Sequence, residues 1–183
     1  MKSEWLDLFR RALADHYGDR PVIAALATAD ADGRPRVRHV VCRRVDDDGG
    51  LWIAVDARSA KVDQLAAHPH AELAFWLAGD RDQFRARGAA AVLTGPEPDR
   101  AALWRSLSDT ARALFAWPPP GTPREPDPAR FPAALPPGDA PPPSFAALVI
   151  RPDEFEHLAL RDHPHLRRIW RAVDGWIGRD VNP

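Results

Sequence analysis

The sequence predicts a small antiparallel barrel, mainly β with flanking helices (α+β). Three observations carry that prediction. Short β-branched or alternating segments recur along the chain, and turn sequences ("DADG", "DDDGG", "GDRD") separate them. Helical stretches are too few to stand between every pair of strands, as a doubly wound sheet would require. A chain of 183 residues suits one domain, 1–183, with a sizeable core.

The elements follow in order. Residues 3–17 form an amphipathic helix, with Ser3 placed to cap it and Trp5, Leu8, Phe9, Ala12 and Leu13 on one face. "VIAALATA" (22–29) is a β-branched strand running into the "DADG" turn. "RPRVRHVVCRRV" alternates, with Val37, His39, Val41, Arg43 and Val45 on one face and Arg38, Val40, Cys42 and Arg44 on the other. "LWIAV" is the third strand. "SAKVDQLAAHP" is a short helix with Ser59 at its start, stopped before Pro69. "AELAFWLA" and "QFRARGAAAVL" are strands four and five, the latter bent at Gly88. Residues 98–117 read as one helix or a broken pair. Residues 118–143 hold more than half of the 20 prolines and cannot continue as regular helix or strand, so a long extended loop is expected. Strand character returns at "SFAALVI" and continues near "FEHLAL". A last hairpin turns at Asp174-Gly175.

Composition excludes several classes. A formal net charge of −1, with basic and acidic residues interspersed, gives no reason to expect nucleic acid or an anionic membrane as partner. A single cysteine, Cys42, rules out an intrachain disulfide and a thiolate cluster. The charged N-terminal stretch lacks the apolar centre of a signal peptide, which makes the cytoplasm the expected compartment. The His-Pro-His triplets at 68–70 and 163–165 each lie at a turn without a cysteine or clear carboxylate partner, so no metal site is expected. No G-x-S-x-G, G-x-G-x-x-G or P-loop is present.

Chemistry concentrates at "VDARSAK", where a strand hands over to a helix. Lys61 is one of only two lysines in a chain that otherwise uses arginine. The first turn of a helix offers free N–H groups and a positive dipole end. Ser59, Arg58 and Lys61 there, with Arg38 on a neighbouring strand, make a plausible phosphate seat. A plain N-cap flanked by solvated cations accounts for the same residues. Gln83 opens a strand beside a turn, where a carboxamide can both donate to and accept from a heterocycle edge, or simply face water.

Taken together, these stretches resemble the pyridoxamine 5'-phosphate oxidase family. From Arg38 to Gly88 the chain is similar to that family's R-x-V-x-x-[KR], strand, turn, S-x-K, N/H-P and R-x-Q-[VF]-x-[VA]-x-G series. "LWRSLSDTARALFAW" resembles its following helical segment and "HPHLRRIWRAVDGWIGRDVNP" its C-terminal hairpin. The R-S-x-K, Q-F-R and V-N-P spellings look like an oxidase-like subgroup. The resemblance implies a six-stranded Greek-key split barrel that forms a homodimer with FMN at the subunit interface. By position, Arg38, Lys61 and Ser59 match the phosphate contacts. Val40, Val41, Ala54 and Val55 match strand residues along the flavin. Arg58 or Asp56 would make good a hydroxyl that the family's Tyr-Thr pair supplies and Ala54-Val55 does not. Gln83 and Arg167, with Arg168 one residue away as its alternative, match ring contacts that come from the partner subunit or lie near the interface.

For the substrate the match thins. Arg43 and His165 keep their places. The family's Tyr…Arg…Ser series reads Trp104, Ser108 and Arg112 here, and the C-terminal arginine of R-x-H is His163. Arg112 is the one cation left to replace them. Each charge-assisted hydrogen bond missing from that set is worth roughly 1.5–3 kcal/mol, enough to change the substrate. The implied function is an FMN-dependent oxidoreductase that takes a hydride from a small-molecule substrate. The alternatives are an FMN carrier, electron-transfer or sensor protein without vitamin B6 turnover, and a barrel without flavin.

Overall fold

The structure, a computed structural model, describes residues 4–136, 138, 140–161 and 163–183. The expected Ser3 cap lies outside the described residues. Among these residues there are eight strands: β1 (Val22–Ala29), β2 (Pro35–Val45), β3 (Leu51–Asp56), β4 (His70–Leu77), β5 (Asp82–Leu93), β6 (Phe145–Ala159), β7 (Leu166–Arg171) and β8 (Arg179–Val181). The order β3-β2-β1-β4-β5-β6 closes on itself through an antiparallel β3–β6 pairing. Six strands therefore make a closed barrel, and β7 and β8 extend the sheet beyond β6. Four helices flank it: α1 (Glu4–Tyr17), α2 (Ala60–Ala67), α3 (Pro98–Ser106) and α4 (Asp109–Ala113).

α1 closes one end of the barrel. Its periodic apolar face, extended by Leu6, buries Trp5, Phe9 and Leu13. Trp5 stacks on Phe155 at 4.4 Å, and Phe9 meets Phe75, Phe84 and Phe155 at 5.0–5.3 Å between ring centres. A second core lies outside the barrel wall, where Leu103, Trp104, Leu107 and Phe115 pack on Trp52, Phe145, Ala147 and Val149. β3 and the first half of β6 are thus covered on both faces, which is why "LWIAV" and "FAALVI" run apolar instead of alternating.

The bend expected at Gly88 is a bulge: β5 and β6 shift register between Arg87 and Gly88. A Cβ at Gly88 would lie 2.0 Å from the Arg151 carbonyl oxygen, a clash that only backbone movement relieves. Gly88→Ala is expected to destabilise the fold by about 3 kcal/mol, the upper range for overpacking, read as a lowered urea midpoint at unchanged slope.

The 98–117 segment is a broken pair. α3 ends at Leu107, Ser108 caps α4 by accepting from the Ala111 N–H, and a 3₁₀ turn follows over Leu114–Ala116. Among its described residues the proline-rich segment is irregular apart from a 3₁₀ turn at Pro128–Arg130. It is pinned by Trp117, whose indole donates to the Pro132 carbonyl and meets Phe131 edge-on.

Candidate functional site

β2, β3 and α2 meet at one rim of the barrel, and α4 faces them. Between them lies a cavity of about 340 Å³ lined by Arg38, Val40 and Val41 of β2, Ala54 and Val55 of β3, and Lys61 of α2. That is a ligand-sized volume. His39, Arg43 and Asp56 complete the strand side. Leu107, Ala111, Leu114 and Phe115 form the opposite wall.

Arg38 is held by two neighbouring elements. Its guanidinium donates to Thr28 Oγ1 of β1 at 2.6 Å and to Gln64 Oε1 of α2 at 2.7 Å, and Thr28 itself donates to Gln64 at 2.7 Å. Lys61 Nζ donates to Ser59 Oγ at 2.8 Å. Ser59 stands at the N-terminus of α2, but its hydroxyl does not cap the helix; it donates back to the Asp56 carbonyl at 2.6 Å and is free to accept from Lys61. Neither Arg38 nor Lys61 forms an ion pair among the described residues. Burial first, then Arg38, lowers the Lys61 pKa, with Asp56 pulling the other way. Asp56 is engaged on both oxygens by Arg58, at 2.9 and 2.6 Å, and makes no ion pair with either cation. Two part-buried cations thus face one cavity and lack an anion. That donor set fits a phosphate.

The other expected residues are distributed as follows. Arg58 is turned away from the cavity onto Asp56 and the Trp117 carbonyl, where it ties down the start of the proline-rich segment. Arg43 lines the cavity. It is the extra residue of a bulge, since Cys42 pairs with Ile53 and Arg44 with Trp52, and bulges re-aim side chains. Arg112 does not reach the cavity. It is buried, donating to the carbonyls of Leu135, Trp104 and Leu107 and pairing with Asp109. His165 is exposed, just before β7.

Gln83 and Arg167 lie elsewhere, on the outer face of the sheet. Cross-strand register places Gln83 beside Trp76, then Leu158, then Arg167, then Val181 in one row. Gln83 lines a second cavity, with Ile23, Trp76 and His39, and His39 also borders the first. Ile23 and Trp76 are 40% and 49% exposed there. Arg167 donates to Glu156 at 2.8 Å, while its Nε is buried without a partner. Arg168, the alternative one residue on, is occupied by Asp180 and Glu4.

Sequence reasoning missed Thr28 and Gln64, which aim Arg38, and the apolar α4 wall. Gln64 had a signal: it follows Lys61 by three residues, on the same helical face. Thr28 had none, because its bond to Arg38 spans two strands.

The family model for pyridoxamine 5'-phosphate oxidase matches residues 13–159. A pyridoxine/pyridoxamine 5'-phosphate oxidase of Anaeromyxobacter dehalogenans is 34% identical over 183 aligned positions, covering 92% of this chain and 89% of that protein. Oxidase 2 of Arabidopsis thaliana is 28% identical, covering 86% and 85%. Among solved structures, a pyridoxamine 5'-phosphate oxidase-related, FMN-binding protein from Nostoc punctiforme superposes with a TM-score of 0.91 at 32% identity, covering 99% of this chain and 98% of that one. PhzG from Burkholderia lata, solved with tetrahydrophenazine-1-carboxylic acid, gives 0.78 at 26% identity, covering 99% and 93%. With the family model matched over most of its length on a closed six-stranded barrel, the chain belongs to the pyridoxamine 5'-phosphate oxidase family.

Proposed function

We propose that the protein is an FMN-dependent oxidoreductase acting as a homodimer on a small-molecule substrate. The observation that carries this reading is the Arg38–Lys61 pair, two cations without an acid partner at the rim of a ligand-sized cavity. Arg38, positioned by Thr28 and Gln64, would grip the FMN phosphate with its fork, Lys61 would add a point charge, and Ser59 would hold Lys61 in place. Val40, Val41, Ala54 and Val55 offer an apolar bed for a planar ring. FMN, when bound, supplies a ring that accepts a hydride; the protein's part is to bind, orient and exclude water.

The homodimer reading is supported by where Gln83 and Arg167 sit. Neither lines the Arg38–Lys61 cavity of its own chain. They share a row with exposed Trp76 on the face whose edge, at Val41 and His39, is the cavity rim. A second copy packed on this face would carry its Gln83 and Arg167 toward the first copy's flavin and cover Ile23 and Trp76. The Nostoc relative's FMN-binding description supports the cofactor, and the PhzG ligand is a carboxylic acid without a phosphate.

The test is a titration of the purified protein with FMN, followed by flavin fluorescence, together with sedimentation. We expect stoichiometric uptake by a dimer, with Trp76→Arg sedimenting as a monomer and binding FMN more weakly. A chain that takes up no FMN would end this reading, and a Trp76→Arg variant that stays dimeric would end the assignment of this face.

A further inference from the structure

Resting on the flavin reading above, we propose that the substrate is a planar, largely apolar molecule carrying one carboxylate, held by Arg43 against the α4 wall, and not a phosphate ester. The wall itself is the first argument. Leu107, Ala111, Leu114 and Phe115 face the cavity, and none of them can bind an anion. The larger and polar side chains of the same segment do not line the cavity and are spent elsewhere. Trp104 is 2% exposed in the second core, Ser108 caps α4, and Arg112 is committed to three carbonyls and Asp109.

The remaining cations narrow the choice further. Arg38 and Lys61 share one end of the cavity and are assigned to the cofactor. Arg44 pairs with Asp46 and Asp99, and Arg58 with Asp56. Arg43 is left, lining the cavity without a hydrogen bond or ion pair among the described residues. The bulge between Cys42 and Arg44 sets it apart from the regular strand. One guanidinium fork matches one carboxylate through two parallel N–H···O bonds. A phosphate dianion would keep further oxygens unpaired against leucine and phenylalanine side chains, which is costly. An aromatic or partly reduced ring system fills such a wall at low cost in conformational freedom.

The experiment uses the FMN-loaded protein and three probes: 2-naphthoate, its neutral analogue 2-naphthylmethanol, and pyridoxal 5'-phosphate. Binding is followed by calorimetry and by the change in the bound flavin's visible spectrum. We expect 2-naphthoate to bind about tenfold or more tightly than either of the others, a gap of about 1.4 kcal/mol. In Arg43→Gln the advantage of 2-naphthoate over the neutral analogue should vanish, while the neutral analogue binds as before. The proposal is overturned if 2-naphthoate fails to bind, if pyridoxal 5'-phosphate binds as tightly or more so, or if Arg43→Gln leaves the carboxylate preference intact. A protein that takes up no FMN overturns the flavin reading and this one together, whereas a flavin-loaded protein that prefers pyridoxal 5'-phosphate overturns the substrate class alone.

Discussion

The Arg38→Ala/Lys61→Ala double variant is expected to lose FMN binding while keeping its fold. A charge-assisted hydrogen bond contributes roughly 1.5–3 kcal/mol, so removing two phosphate contacts should weaken FMN by about 10²–10⁴-fold. Stability should respond in a different way. In the protein without ligand, Lys61 is held below its ordinary pKa by burial and by Arg38, so the charged pair is a strain on the fold and not a support. Thr28 and Gln64 keep their own hydrogen bond after Arg38 is gone. The variant should therefore melt close to the parent, or slightly above it, when both are free of FMN. With saturating FMN, only the parent should be stabilised, because ligand binding to the folded state raises stability by mass action. Thermal melts with and without FMN, beside a flavin fluorescence titration, give both readouts. Unchanged FMN affinity in the double variant would place the phosphate elsewhere.

The barrel was largely legible in the sequence because its turns and its alternation are local signals. "DADG" and "DDDGG" close hairpins between neighbouring strands, and β1 occupies the stretch the pattern predicts. Closure was less legible, since the β3–β6 pairing joins segments about ninety residues apart, with no local pattern to announce it. The candidate site was legible as residue types, with Arg38 and Lys61 lining one cavity. Its wiring was not. Arg58 stands beside Ser59 in sequence, yet a carboxylate two residues back captures it. What turned Ser59 from helix cap to lysine holder was the Asp56 carbonyl within reach of its hydroxyl.

The α3–α4 segment shows the clearest limit. Trp104, Ser108 and Arg112 recur every four residues, and on one continuous helix they would share a face. The chain instead leaves the helix at Leu107, which takes an extended conformation, and restarts at Ser108. The break resets the helical phase. Leu107, Ala111 and Leu114 then turn to the cavity, and Arg112 turns inward. A four-residue spacing that runs across such a break does not keep its residues on one face.

That inward turn gives Arg112 a large structural role. Arg112→Met is expected to destabilise the protein by about 3–5 kcal/mol. The side chain is 4% exposed, and its guanidinium is the hydrogen-bond donor that joins the Leu107 and Trp104 carbonyls at the break to the Leu135 carbonyl of the proline-rich segment. A methionine of similar length fills the space but donates nothing, so the Leu107 and Leu135 carbonyls lose this donor at about 1–3 kcal/mol each, while the Trp104 carbonyl keeps the Leu107 N–H. Leu135 remains linked to α4 by its N–H to the Asp109 carbonyl, so the segment should loosen without detaching. The signature should be a fall in urea midpoint together with faster proteolysis between Trp117 and Leu135. Arg112→Lys should recover little, since a single ammonium cannot span carbonyls that the fork reaches on different sides. A substrate-binding arginine would behave in the opposite manner, leaving the urea midpoint in place and weakening only the binding of anions. If Arg112→Met melts like the parent yet binds pyridoxal 5'-phosphate less tightly, its guanidinium reaches the cavity in solution, and the apolar wall is not the face the substrate meets.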